Sequence, residues 1–179
     1  MDQNEMQWDR LLKIKTTGRD DSHSDQYRYP YEPTQYCVLE RLAHSGLIGK
    51  KNVLLDYGTG KGRVCFYLSY QTRCRSIGVE YDERIFKAAE VNVKHAVSGK
   101  RIIFEPVSAE DYPVPTEVDR CYFFNPFSVE ILLFFYYPSE EYVSCLMTEE
   151  QLMFYDEIST EDLFEGKNTR EKLLIFSVE

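Results

Sequence analysis

The chain has 179 residues, with 21 Lys and Arg against 30 Asp and Glu and a formal net charge of −9. Its 43% hydrophobic and 15% aromatic content can bury a sizeable core in one domain and is far from a disordered composition. The acidic balance supplies no net basic field, which argues against a partner held mainly through nucleic-acid phosphates.

The first residues, MDQNEMQWDR, are polar and acidic where a secretory signal would be basic and then apolar. The longest purely apolar and aromatic run, Ile131 to Tyr137, is far short of the ~20 residues that span a bilayer. A soluble, cytoplasmic protein without a membrane partner is therefore expected. Cys37, Cys65, Cys74, Cys121 and Cys145 are odd in number and contain no C-x-x-C, so neither a disulfide framework nor a zinc site is expected. Most read as reduced core thiols. His23, His44 and His95 are equally scattered and offer no metal-ligand spacing.

In chain order, residues 1–26 are a polar arm with Trp8, Leu11, Leu12 and Ile14 as apolar anchors, and 27–179 form the single domain. Tyr27 to Pro33 alternates tyrosine with extended, proline-biased backbone. Spacing of Tyr36, Cys37, Leu39 and Leu42 then predicts an amphipathic helix from about Thr34 to Ser45, stopped by Gly46. Strands and helices alternate thereafter. Strands are predicted at Val53–Asp56, Ser76–Glu80, Arg101–Phe104, Arg120–Phe124, Leu132–Tyr137, Leu152–Ile158 and Leu173–Val178. Helices are predicted at Gly62–Tyr70, at Glu83–Val97 with Ile85, Ala88, Ala89 and Val93 on one side, and at Glu140–Thr148. Such alternation implies an α/β fold whose mostly parallel sheet is covered on both faces, with ligands beyond the carboxyl ends of the strands.

The most informative segment is VLLDYGTGKGR, in which Asp56 lies at a strand end and Gly58, Gly60 and Gly62 follow at alternate positions before a helix. A nicotinamide fingerprint needs its last glycine where Arg63 stands, and no G-x-x-x-x-G-K-[ST] can be read. Glu80 ends the next strand, 20 residues after Gly60, the place where dinucleotide folds put an acid for ribose hydroxyls. Strand four ends in Asn125-Pro126-Phe127 on the same rim. The amide oxygen of Asn125 and the carbonyl of Pro126 can accept hydrogen bonds from an NH group and aim its lone pair. Proline removes a competing donor, and Phe127 suits a nitrogen gaining positive charge. The plainer alternative is an Asn-Pro that merely ends a strand.

The D-x-G-x-G-x-G pattern resembles motif I of the class I S-adenosylmethionine-dependent methyltransferases, and Asn125-Pro126-Phe127 resembles their amino-methylating [DNS]-P-P-[YF] motif with one proline missing. YRYPYEPT resembles the pre-motif segment of some protein-lysine methyltransferases. The resemblance implies a Rossmann-like three-layer sandwich, with a mostly parallel seven-stranded sheet and an antiparallel last strand. S-adenosyl-L-methionine is the implied cofactor. It would be bound by Asp56, Gly58, Thr59, Gly60, Gly62 and Glu80, with Ser108, Ala109 and Glu110 near the adenine and Thr34 at the carboxylate. Tyr29 and Tyr31 would form a lid over the substrate, and Asn125, Pro126 and Phe127 would orient a nucleophile, expected to be nitrogen of a small molecule or protein side chain. Such methyl transfer needs no metal. Two other readings remain: a non-catalytic S-adenosylmethionine-binding module acting through a protein partner, and a nicotinamide oxidoreductase, which Arg63 disfavours.

Only Ser128, Val129 and Glu130 separate Phe127 from the next apolar run. A parallel crossover needs a dozen or more residues and usually a helix, so the options are one long strand interrupted at Pro126, an antiparallel hairpin, or a crossover helix missing near 128–130, the last being the one the resemblance implies.

Overall fold

In the computed structural model, residues 3–19, 31–124, 152–159, 163 and 172–178 are described. The chain divides into two compact units, Met1–Ile131 and Leu132–Glu179.

The first unit is built on four parallel strands, β1 (Val53–Tyr57), β2 (Arg75–Val79), β3 (Ile102–Glu105) and β4 (Arg120–Phe123), in the order β3-β2-β1-β4. Every residue of β1 is buried, as expected of a central parallel strand covered on both faces. Two helices precede the sheet, α1 (Gln3–Leu12) and α2 (Tyr36–His44). Between β1 and β2 runs α3 (Arg63–Gln71), and between β2 and β3 runs α4 (Glu83–His95). After β3 the chain returns to pair β4 with the other side of β1. The strand order therefore reverses between β1 and β4, and open sheets of this kind bind ligands beyond the carboxyl ends at such a reversal.

The N-terminal arm thus contains a helix whose Leu12 is fully buried, with Ile14 buried just beyond it, whereas Leu11 is exposed. Trp8 meets Tyr67 of α3 edge-on at 4.9 Å between ring centroids and Tyr36 of α2 at 6.0 Å. This packing explains why α3 is buried from Arg63 through Ser69: the sheet covers one side and the N-terminal helices another.

Helix α2 starts two residues later than the apolar spacing suggests, because Gln35 keeps an extended backbone. Its first N–H, that of Tyr36, donates to the Glu5 carboxylate at 2.9 Å. An anion at a helix N-terminus satisfies an orphan donor and meets the positive end of the helix dipole. Helix α4 is capped locally: the Asp82 carboxylate accepts from the N–H groups of Arg84 and Ile85 at 2.9 and 3.3 Å. Its buried side chains are Ile85, Phe86, Ala89 and Asn92. Apolar spacing alone overlooks Phe86 and the polar Asn92, which is buried because it bonds backbone on two other segments.

The second unit contains an antiparallel pair, β5 (Leu152–Ser159) and β6 (Lys172–Val178), with an irregularity between Phe154 and Asp156. Six strands are found among the described residues. The expected strand at 132–137, the helix at 140–148 and the short link at 128–130 lie outside the described residues. Of the four described cysteines, Cys65 and Cys74 are buried, Cys37 is half-buried and Cys121 is exposed, so the expectation of core thiols applies to two of them. No group of three or more potential metal ligands occurs among the described residues, and no helix there is long and apolar enough to cross a membrane.

Candidate functional site

The parallel register brings the ends of β1 and β2 together, with Tyr57 opposite Val79. The residues that follow, the glycine-rich loop after β1 and Glu80 after β2, therefore share one rim. They touch directly: the N–H of Gly60 donates to Glu80 Oε2 at 2.9 Å, while Glu80 Oε1 accepts from the N–H of Asp82 at 3.0 Å. The N–H of Tyr81 also bonds this carboxylate, so three of its roughly four acceptor sites are taken and one remains for a hydroxyl donor. Thr59 locks the loop from within. Its N–H donates to the carbonyl of Val79 at 3.0 Å, and its hydroxyl to Asp56 Oδ2 at 2.6 Å.

Gly60 and Gly62 are required for different reasons. Gly60 has φ +58°, and a Cβ there would overlap the ring of Tyr31. Gly62 has φ +89°, and a Cβ would meet Phe104 and Phe66. Residues other than glycine suffer steric strain at positive φ. Gly62 therefore serves the packing of α3 on β3, whereas the open face of Gly60 is occupied by an aromatic ring.

That ring belongs to one of the two tyrosines expected as a lid. The Tyr31 hydroxyl donates to the carbonyl of Thr16 at 2.6 Å, and the Lys61 ammonium lies 4.6 Å from its ring centroid. Burial, first, and the charges of Asp9, Glu80 and Asp56 hold its phenol far above the ordinary range, with Arg63 opposing, so it stays protonated. Thr34 is buried, its hydroxyl 3.1 Å from that of Tyr122 on β4 and its carbonyl accepting from Arg63. Ser108 and the buried Ala109 follow β3, where the carbonyl of Ser108 accepts from the N–H of Asp111 at 3.1 Å. Tyr29, Asn125, Pro126 and Phe127 lie outside the described residues; β4 ends at Phe123, two residues before Asn125.

Two buried carboxyls give this rim its electrostatic character. Asp56 is pushed up to about 7, chiefly by burial; hydrogen bonds from Thr59 and Cys65 oppose the rise, and the charge of Glu80 adds to it. Glu80 is also raised by burial, against hydrogen bonds from Asp82 and Gly60. A positive charge or several hydroxyl donors placed here would relieve both.

One group at the site carries no expectation from the loop motif beyond excluding a nicotinamide fingerprint. Arg63, the first residue of α3, is 2% exposed. Its guanidinium pairs with Glu5, lies 3.8 Å from Asp9 and stands 4.3 Å over the Tyr36 ring. It also donates to Thr16 Oγ1 at 2.8 Å and to the carbonyl of Thr34 at 3.1 Å. Asp9 in turn accepts from the N–H and hydroxyl groups of Thr16 and Thr17 and from the Tyr36 hydroxyl. Burial alone would raise the Asp9 carboxyl, but those bonds from Tyr36 and Thr16, with Arg63, bring it below the usual value. The available signal was the lone arginine opening RVCFYLS, with Glu5 and Asp9 one turn apart on a helix face.

No protein-family model and no curated protein matches the sequence. Solved structures align with part of the chain. An RNA methyltransferase from Salinibacter ruber aligns at 27% identity over 43% of this chain and 50% of its own, with a TM-score of 0.41. A geranyl diphosphate C-methyltransferase from Streptomyces coelicolor aligns at 17% over 48% and 32%, with a TM-score of 0.43. A SAM-dependent methyltransferase from Geobacter sulfurreducens aligns at 17% over 45% and 32%, with a TM-score of 0.41. All three are methyltransferases. Each was solved with S-adenosyl-L-homocysteine. The aligned part of this chain spans no more than half the length of any of them.

Proposed function

We propose that the chain is a class I S-adenosylmethionine-dependent methyltransferase. The observation that carries this reading is the joining of Gly60 N–H to Glu80 across the carboxyl rim, beside buried Asp56 and next to the strand-order reversal. The donor set fits the cofactor's chemistry. Glu80 suits a ribose hydroxyl, Asp56 suits an ammonium, and Gly58, Thr59 and Gly60 form the loop the cofactor would lie along, with the Tyr31 ring seated on Gly60. Gly62 shapes the loop, Ser108 and Ala109 border the expected adenine side, and Thr34 stands at the expected carboxylate side. When bound, the sulfonium supplies an electrophilic methyl carbon, so the residues contribute mainly alignment.

Asn125, Pro126 and Phe127 are the candidate catalytic residues, accepting hydrogen bonds from a nitrogen nucleophile and packing against it, with Tyr29 and Tyr31 as the lid. The charge of −9 favours a small-molecule or protein acceptor over nucleic acid. The proposed sheet is the seven-stranded one, its count resting on the run at 132–137, and the three-residue link at 128–130 is read as lacking its crossover helix.

Calorimetric titration with S-adenosyl-L-methionine and S-adenosyl-L-homocysteine tests the proposal. Saturable binding by the unmodified chain is expected, weakened about 10- to 100-fold in Glu80→Gln, since a lost hydrogen bond to a charged group costs about 1.5–3 kcal/mol. Binding by neither compound would refute it. Methyl transfer that disappears in Asn125→Ala while S-adenosyl-L-homocysteine affinity persists would separate an enzyme from a non-catalytic module.

A further inference from the structure

Arg63 and Asn92 both fasten the N-terminal segment to the glycine loop. Besides Arg63's bond to Thr16, its Nη2 lies 3.3 Å from the Thr17 hydroxyl. Asn92 of α4 accepts from the N–H of Lys15 at 2.9 Å and donates to the carbonyls of Lys15 and Lys61, at 3.2 and 3.1 Å. Lys61 lies within the loop itself. Residues 15–17 are thus bonded to α3 and α4, and Asn92 links Lys15 to the loop carbonyl of Lys61.

The Arg63 contacts also bracket Tyr31. One partner, Thr16, offers its hydroxyl to Arg63 and its carbonyl to the Tyr31 hydroxyl. The other, Thr34, follows Tyr31 by three residues and gives Arg63 its carbonyl. The ring fixed between them lies on the open face of Gly60. The same Nη1 that reaches the Thr34 carbonyl also pairs with Glu5, which caps α2 through Tyr36.

We infer that Arg63 is a positioning residue that couples docking of α1 to ligand affinity at the glycine loop. The inference rests on the proposed cofactor site and goes beyond it, because it makes residues 5–17, which bring no ligand-binding motif, determinants of that site. The coupling follows from shared parts. A buried guanidinium is stable only with its acceptors in place, and those acceptors set where Tyr31 and the loop face each other. Linkage then requires reciprocity: whatever α1 docking does for ligand affinity, bound ligand does for α1 docking.

The test uses Glu5→Gln, which removes one of the two carboxylates facing Arg63 while leaving an amide oxygen for the Tyr36 N–H, and Glu40→Gln as a charge-matched control on the exposed side of α2. S-adenosyl-L-homocysteine affinity is measured by calorimetry and α1 docking by hydrogen exchange at residues 5–12, with and without that compound. Expected are a roughly 5- to 20-fold weaker affinity in Glu5→Gln, no change in Glu40→Gln, and slower exchange across α1 when the unmodified chain is saturated. Arg63→Lys, which keeps the charge but cannot reach Thr16, Thr34 and Glu5 together, should weaken affinity at least as much. Should Arg63→Lys fail to fold, Glu5→Gln and the exchange data decide alone. Unchanged affinity in Glu5→Gln, with α1 exchange indifferent to ligand, would overturn the coupling while leaving the cofactor reading standing. Absence of binding by the unmodified chain would remove both.

Discussion

Asp56 sits at the centre of the proposed site and is the least comfortable charge there, so replacing it with asparagine should stabilise the ligand-free protein in alkali. The carboxyl is pushed up to about 7, mainly by burial, from an ordinary value near 3.9. An acid whose pKa is higher folded than unfolded contributes stability that is complete below the unfolded value and is lost as pH climbs through the folded one. A rise of about three pH units corresponds to about 4 kcal/mol between the two limits. About half of that loss falls between roughly pH 5.5 and pH 8.5, because the unfolded carboxyl is already ionised at the lower pH. The amide of the Asp56→Asn variant does not titrate, and its oxygen can still accept from Thr59. Urea unfolding of both proteins at the two pH values, taken as a difference of differences, cancels the other titrating groups. The unmodified chain is expected to lose about 2 kcal/mol relative to Asp56→Asn over this interval. A difference that is flat with pH, or of opposite sign, would show that Asp56 is stabilised as an anion in the free protein and would refute the reasoning.

Two further substitutions probe the loop and its flank. Gly60→Ala should cost about 1–3 kcal/mol by denaturant unfolding, from strain at positive φ and overlap with Tyr31; adding Tyr31→Ala should recover only the overlap, so full recovery would mean that φ is not the constraint. Asp82→Ala removes both side-chain bonds capping α4 and should cost about 1 kcal/mol in the same assay; no change would mean that water replaces the cap without loss.

The parallel core was legible because its determinants are local. Buried central strands read as apolar runs, and Gly58, Gly60 and Gly62 could only mark a tight strand-to-helix turn. That Glu80 shares a rim with the glycine loop was legible from spacing, since one βαβ unit fixes how far along the chain the neighbouring strand ends; its bond to the Gly60 N–H was not. Arg63 was not legible in the same way. Its partners are Glu5, Asp9, Thr16, Thr17 and Thr34, and no periodicity announces that polar residues from separate short segments will converge on one guanidinium. Asn92 escaped notice for a related reason: a buried amide is read as surface until the backbone it serves has been located. The start of α2 was misplaced because its first N–H is capped from another helix, where a local pattern search expects the cap in the preceding residues.

The Arg63 clasp also bears on the order in which the chain takes shape during synthesis. Glu5 and Arg63 are 58 residues apart in sequence, and the aromatic seat for Trp8 includes Tyr67. A ten-residue helix is too short to persist alone in water. This early segment must therefore wait, its acidic side chains solvated, until the strand, glycine turn and opening of α3 have followed it out of the ribosome. The earliest of the described helices to be made is in this sense a late arrival, and its docking marks completion of the β1–α3 unit.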